Sequence, residues 1–560
     1  MTAALLLILL TGVSQDTLQV SSGLQGMTDR YLDRVEQECR DRRAVEMSRV
    51  RSAAAVRARQ AYIQRKLLEQ IGGFPARTPL NPRLSGTLRR PGYRVEKLIF
   101  ESQPRFYVTA NVYVPEGPPP PFAAVLGSGD QGKASGQRAW IGLVKRGFLV
   151  LAYDLPGQGE RAGDAAAAQC LLTGTNEARW QIWDGIRAVD YLLTRPDVDP
   201  RRIAVTGGAQ AAYLAALEPR LAAAATSAYL TPPLAGFWRD GLDISDLPIA
   251  FAPRPMLMAG AAYQEARPIY AVLRAKERAG VFDDDPHGRR WFSKWLLGTD
   301  AREPAIETIP EAELRATAAG LPGAETVQSL NAALAGQLHA ARKKTGDLRA
   351  LLGIDGPRGL PPWGGQGEVE GRGCRIEKIE MQPEPGIIVP MLLFLPAGGA
   401  PRKSAVLWLD PAGKSADLAA IEALVRADNV VLAADLRNWG ESAPAEYATP
   451  HQAAQRALLA GKTLIGMQVY DALRAFDWLA ARHEVDSRRI TVSGKGSGGV
   501  AALFARALEP RIAAVKTEGA PRCYLALARG PAPPDLIEIA VPGILRHFDL
   551  PDFTTPGGAR

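Results

Sequence analysis

Two long stretches of this 560-residue chain are copies of one another. Tyr93-Arg94-Val95-Glu96-Lys97 matches Cys374-Arg375-Ile376-Glu377-Lys378 at an offset of 281. The same offset aligns Ala124-Val125-Leu126 with Ala405-Val406-Leu407, Gly132-Lys133 with Gly413-Lys414, and Val150 to Leu155 with Val431 to Leu436. Gly159-Glu160 meets Gly440-Glu441 without a gap. The match resumes at offset 287, pairing Asp184 to Leu192 with Asp471 to Leu479 and Val198 to Ile203 with Val485 to Ile490. It ends at offset 291, where Ala216-Leu217-Glu218-Pro219-Arg220 meets Ala507-Leu508-Glu509-Pro510-Arg511. Length alone would allow three or four domains, but a duplication on this scale means one fold built twice.

Within each copy, short apolar runs alternate with helical patterns. Ala123 to Gly127, Phe148 to Tyr153, Ile203 to Thr206 and Pro255 to Ala259 read as buried strands, and Gln181 to Thr194 and Gln210 to Leu217 as helices. Continuous apolar strands separated by helices predict a mostly parallel α/β sheet covered by helices on both faces. Asp29 to Gln70 is rich in Arg, Glu, Ala and Leu and free of Pro and Gly, which predicts one or two amphipathic helices stopped by Gly72-Gly73-Phe74-Pro75. The expected layout is a helical segment over 16–75, a first domain over 76–300, a helical and Pro/Gly-rich connector over 301–370, and a second domain over 371–560.

Composition mainly excludes. With 46% hydrophobic and 22% charged residues the chain has the content of a folded protein and not of a disordered one. The net charge is +8, yet only 14 of the 67 basic residues are Lys and no basic tract reaches five residues, so no nucleic-acid partner is expected. The four cysteines, at 39, 170, 374 and 523, have no metal-ligand spacing, and neither a metal nor a cofactor is expected. Ala3 to Leu10 is an apolar run followed by small residues through Gln15, as in a cleavable signal, so residues 1–15 are read as a signal peptide and the protein as secreted or periplasmic. The run is too short to span a bilayer, which takes about 20 residues.

In each copy, a strand ending near Thr206 or Val492 enters a Gly-rich turn and then an Ala-rich helix. An α/β hydrolase holds its nucleophile on such a strand-turn-helix, in a G-x-S-x-G elbow whose strained turn exposes the Ser hydroxyl beside backbone oxyanion donors. Here the central residue is not Ser. The first turn reads Thr206-Gly207-Gly208-Ala209-Gln210, with Ala209 at the nucleophile position and Gly207, Gly208 and Gln210 forming the turn. The second reads Gly494-Lys495-Gly496-Ser497-Gly498, with Gly496 in the centre; Ser497, one position late, is a weaker candidate whose alternative reading is a helix N-cap. The step from 287 to 291 shows the first copy to be four residues shorter here, about one helical turn, which predicts loss of the start of its elbow helix.

A serine hydrolase also needs an acid and a His, in that chain order after the nucleophile. His287, in Asp283-Asp284-Asp285-Pro286-His287-Gly288 between a short strand at Val281-Phe282 and a helix over Trp291 to Leu297, fits the general base. Glu265, after the strand ending at Ala259, is the candidate acid, with a helix-surface carboxylate as its alternative. The second copy would need its His beyond residue 560, so it is read as incomplete at its C-terminal end, and His547 as structural.

Gly157-Gln158-Gly159-Glu160-Arg161, Ile182-Trp183-Asp184-Gly185-Ile186-Arg187-Ala188-Val189-Asp190-Tyr191-Leu192 leading to Ile203-Ala204-Val205-Thr206-Gly207, Phe251-Ala252-Pro253-Arg254-Pro255, and Pro286-His287-Gly288 before Trp291-Phe292-Ser293-Lys294-Trp295 together resemble the acetylxylan-esterase-like α/β hydrolases. The resemblance implies two tandem α/β-hydrolase domains, the second degenerate, and an esterase using a Ser at the first elbow, a carboxylate after the seventh strand and the His of the Pro-His-Gly segment. It also implies shortened loops before Cys170, around Tyr229 to Phe237, after Met258 and after His287. The function expected is hydrolysis of small carboxylic esters or deacetylation of polysaccharide, impaired because neither elbow centres on Ser. The alternative is a non-catalytic secreted scaffold or glycan-binding pseudoenzyme, for which Trp180, Trp183 and Trp238 could stack on sugars unless they are core.

Overall fold

The computed structural model describes residues 16–129, 131–163, 167–227, 234–282, 288–299, 305–318, 320–398, 402–444 and 449–554. The chain divides into two compact units. One holds residues up to Cys39, Leu171–Gly174 and everything from Leu334; the other holds Arg40–Cys170 and Thr175–Ala333. Each contains one sheet.

The first sheet contains nine strands: β1 (Arg83–Arg90), β2 (Tyr93–Gln103), β3 (Phe106–Pro115), β4 (Phe122–Gly127), β5 (Leu149–Tyr153), β6 (Val198–Gly207), β7 (Ala223–Thr226), β8 (Met256–Met258) and β9 (Ala279–Val281). Their order is β1-β2-β3-β5-β4-β6-β7-β8-β9. The strands are parallel from β5 through β9 and antiparallel from β1 to β5. The second sheet contains β10 (Trp363–Gly371), β11 (Cys374–Met381), β12 (Val389–Pro396), β13 (Lys403–Leu409), β14 (Val430–Ala434), β15 (Val485–Lys495) and β16 (Ala514–Glu518), ordered β10-β11-β12-β14-β13-β15-β16. Among the described residues it has no counterpart of β8 and β9. The architecture is the expected pair of mostly parallel α/β-hydrolase-type sheets.

Register proves the duplication. Ala124 pairs with Leu149 and Ile203 as Ala405 pairs with Val430 and Ile490, so the offsets of 281 and 287 read from sequence are the offsets of the ladders. On the far side Ala204 lies opposite Ala223, and Thr491 opposite Ala514, which carries the offset of 291. β4 and β5, in the middle of the first sheet, have no exposed residue because both faces are covered. Behind the first sheet Trp140, Phe148 and Phe292 close a core that includes Val125, Val150 and Ala204. Trp408, Ile421 and Val431 occupy a comparable core on the second.

The N-terminal pattern forms two helices, Met27–Met47 and Ala53–Ile71. Ser52 caps the second by accepting from the Ala55 N–H, and Gly72, at φ 77°, ends it in the left-handed conformation that Gly adopts without a Cβ clash. Helices over Ala178–Thr194 and Ala209–Leu217 agree with expectation. The segment after residue 288 forms a short helix, Arg289–Phe292, continued by a wider π-type turn over Ser293–Leu297.

Candidate active site

The two elbows differ in backbone geometry. In the second copy β15 ends at Lys495, and Gly496 alone separates it from the helix Ser497–Leu508. Gly496 has φ 49° and ψ −120°, a strained conformation for any residue with a side chain. Gly494 and Gly498 flank it closely: a Cβ on Gly494 would overlap the Gly498 carbonyl, and one on Gly498 the Leu409 carbonyl. A G-x-S-x-G elbow uses this sharp strand-to-helix turn to present a nucleophile, and here the turn presents only a hydrogen atom. Ser497 is the first residue of the helix, and Gly496 occupies the cap. Lys495 directs its ammonium to Asp417, 2.6 Å away, over the Trp408 ring.

In the first copy β6 ends at Gly207, Gly208 stands between strand and helix, and Ala209 is the first residue of the helix Ala209–Leu217. Gly208, at φ −80° and ψ −145°, does not make the sharp turn of its counterpart. The four-residue deficit is divided: β6 stops one position before β15 does, and its helix has 9 residues against 12. Gly207 has φ 149°, and a Cβ there would lie 2.6 Å from the Ser128 hydroxyl oxygen. Ser128, nine-tenths buried at the end of β4, accepts a hydrogen bond from the Gln210 side-chain amide. Sequence reasoning passed over Ser128; its signal was a hydroxyl directly after an apolar strand whose neighbour in the sheet leads into the elbow.

The remaining candidates lie apart or outside the described residues. Glu265 is on the helix Gly260–Val272, half exposed, with its carboxylate 2.6 Å from Arg43 Nη1. Arg43 also binds the buried Asp246 through Nε at 2.8 Å. His287 lies outside the described residues, as does the 1–15 segment read as a signal peptide. Trp180 packs edge-on against Phe106, and Trp183 donates to the Ser102 carbonyl and stacks on Phe74; both are core side chains. Trp238 is half-buried. Among the described residues no group of three or more His, Cys, Asp or Glu side chains is placed to hold a metal ion, and no helix is long and apolar enough to cross a membrane.

Each copy also contains a buried charge cluster. Lys133 Nζ lies 2.5 Å from Asp154 Oδ2 and binds Glu160, and its backbone N–H donates to Asp154 Oδ1 at 2.8 Å. Lys414 does the same with Asp435, 2.9 Å from Nζ, and with Glu441. Burial pushes the Glu160 carboxyl upward, but Lys133 and hydrogen bonds from Thr317 and Ala316 outweigh it and hold its pKa below the usual carboxylate value. All three charged residues stood inside repeated blocks of the sequence, and that was the signal for the cluster.

Residues 132–235, spanning β5, β6 and the first elbow, match the family described as the dienelactone hydrolase family. The fold is of the α/β-hydrolase type. The resemblance to acetylxylan-esterase-like α/β hydrolases read from its motifs agrees with that. YtaP of Bacillus subtilis (strain 168), described as a hydrolase, is 29% identical over 184 residues that cover 29% of this chain and 62% of the relative. The chain thus spans less than two thirds of that relative's length. Among solved structures it is similar to the methylesterase BT1017, with 21% identity, a TM-score of 0.43, and coverage of 54% of this chain and 78% of the other. It is similar too to an acetyl xylan esterase from Paenibacillus sp. R4, with 16% identity, a TM-score of 0.31, and coverage of 41% and 88%.

Proposed function

We propose that this hydrolase descends from esterases acting on small carboxylic esters or acetylated polysaccharide and that its nucleophilic step is disabled. The observation that carries this reading is the residue between strand and helix at each elbow, which is Gly208 in one copy and Gly496 in the other. Without a hydroxyl there, no acyl-enzyme forms. Loss of a triad nucleophile costs on the order of 10⁴ to 10⁶ in rate. As general base His287 would then have only water to activate, and Glu265, the candidate acid, is already engaged by Arg43. The same two glycines are equally compatible with the second reading, a non-catalytic secreted or periplasmic scaffold or glycan-binding pseudoenzyme that keeps the sheets and has lost the chemistry.

The test is p-nitrophenyl acetate turnover and fluorophosphonate labelling of the intact protein beside Ala209→Ser and His287→Ala, with binding to insoluble xylan. Background turnover and no stoichiometric label are expected in all three forms, because Ala209 begins the helix and a hydroxyl there is not raised on an elbow. Robust turnover lost in His287→Ala would overturn the reading. Stoichiometric labelling at Ser497 would transfer the site to the second copy, and xylan retention without turnover would favour the scaffold.

A further inference from the structure

The repeat extends further toward the N-terminus than the sheets. In the unit built on the second sheet, the Glu441 carboxylate accepts two successive backbone amides, Val20 N–H at 2.8 Å and Ser21 N–H at 2.7 Å. Ser21 Oγ donates to Glu380 at 2.6 Å, and Leu18 is buried in the core with Cys374, Phe394 and Trp408. In the unit built on the first sheet, Glu160 accepts Ala316 N–H and Thr317 N–H, each at 2.7 Å, and the Thr317 hydroxyl at 2.6 Å. Leu314 is buried there beside Tyr93, Val95 and Tyr113. Glu160 and Glu441 are repeat equivalents. Leu18, Val20 and Ser21 stand 296 positions before Leu314, Ala316 and Thr317.

The same offset of 296 relates Arg43 to His339. Arg43 binds Asp246 at 2.8 Å, and His339 Nε2 lies 3.3 Å from Asp549. Those aspartates open matching triplets, Asp246-Leu247-Pro248 and Asp549-Leu550-Pro551. The duplicated module therefore comprises a strap, a helix and a hydrolase sheet, in that order. Each of these helix-borne side chains, Arg43 and His339, pairs with its own module's aspartate, whereas each strap seats on the other module's sheet. The division of the helix Met27–Met47 between the two units, after Cys39, falls between its strap and Arg43.

We propose that the Lys-Asp-Glu cluster of each copy is a peptide-docking site whose ligand is the strap of the other module, so that the chain is a covalently joined, strap-exchanged pair. The ligand chemistry is what the two straps share: a Leu that fills the core, then two successive backbone amides for the cluster carboxylate, with a hydroxyl that goes to Glu160 in one strap and to Glu380 in the other. Reciprocal exchange of an identical element is the signature of domain swapping, and here both partners lie on one chain.

Hydrogen exchange on the full-length protein tests the exchange. Leu18→Ser is expected to speed exchange about tenfold or more at residues 374–381 and 435–442 while leaving 93–100 and 154–160 unchanged; Leu314→Ser is expected to do the converse. The milder Glu441→Gln keeps the side-chain shape and should loosen amides 20 and 21 alone, as Glu160→Gln should loosen 316 and 317 alone. Faster exchange at 154–160 in Leu18→Ser, or loosening of 316 and 317 in Glu441→Gln, would show straps serving their own modules and overturn the proposal. No change at either site in any of the four variants would overturn it as well.

Discussion

Asp184 and Asp471 are the same residue in the two copies, both fully buried, and each is neutralised by an arginine from a different position. Arg161 Nη1 reaches Asp184 at 2.5 Å, and Arg437 Nε reaches Asp471 at 2.8 Å. Ser442 stands where Arg161 would recur, and Pro156 where Arg437 would have come from. A buried carboxylate must keep a cation, but nothing requires that cation to come from a fixed place in the chain. Arg437→Leu should therefore cost about 3–5 kcal/mol in urea denaturation of the second-sheet unit, and adding Asp471→Leu should recover much of it. Gly496 offers a purer case of backbone strain. No atom lies within 4 Å of a Cβ built there, so Gly496→Ala should destabilise by about 1–3 kcal/mol through φ and ψ alone. The glycine itself was plain in the sequence. That Gly496 adopts an elbow and Gly208 does not was hidden, because dihedral angles depend on where the strand stops, and β6 stops one position early.

At the scale of elements, strands with covered faces were legible and strands with polar starts were not. Ile203 to Thr206 reads as a strand by its apolar run, yet β6 begins at Val198 because Phe122 on β4 pairs back to it. Asp199, Arg201 and Arg202 carry no apolar alternation to announce that pairing. β16 is the opposite case. It pairs only with β15 among the described residues, and its side chains are mostly exposed, including Lys516, Thr517 and Glu518. An open edge bearing both charge signs resists pairing with another chain. Replacing Lys516 and Glu518 with Val should thus raise light scattering on incubation at micromolar concentration while leaving the first-sheet unit's melting unchanged. An unchanged scattering trace would mean that this edge is covered in solution.

For the whole molecule, the duplication was legible and the exchange of straps was not. Leu18-Gln19-Val20-Ser21 and Leu314-Arg315-Ala316-Thr317 share one identical residue, since a carboxylate that binds backbone amides places little demand on the side chains that follow. Yet those amides make the strap on the first sheet responsive to acid. Glu160 faces Lys133, Asp154, Glu311 and Arg315, and its pKa lies below the ordinary value of 4.5 despite burial, because Lys133, Thr317 and Ala316 favour the charged form. A lowered folded-state pKa stabilises at every pH above the unfolded value, and that stabilisation is lost as pH falls through the folded value. Protection of the Ala316 and Thr317 amides, corrected for intrinsic exchange, should hold at pH 4.5 and collapse only below it. Glu160→Gln should remove this dependence and leave the two amides equally loose across the range. If they opened at or above pH 4.5 in the unaltered protein, a group other than Glu160 would be holding the strap.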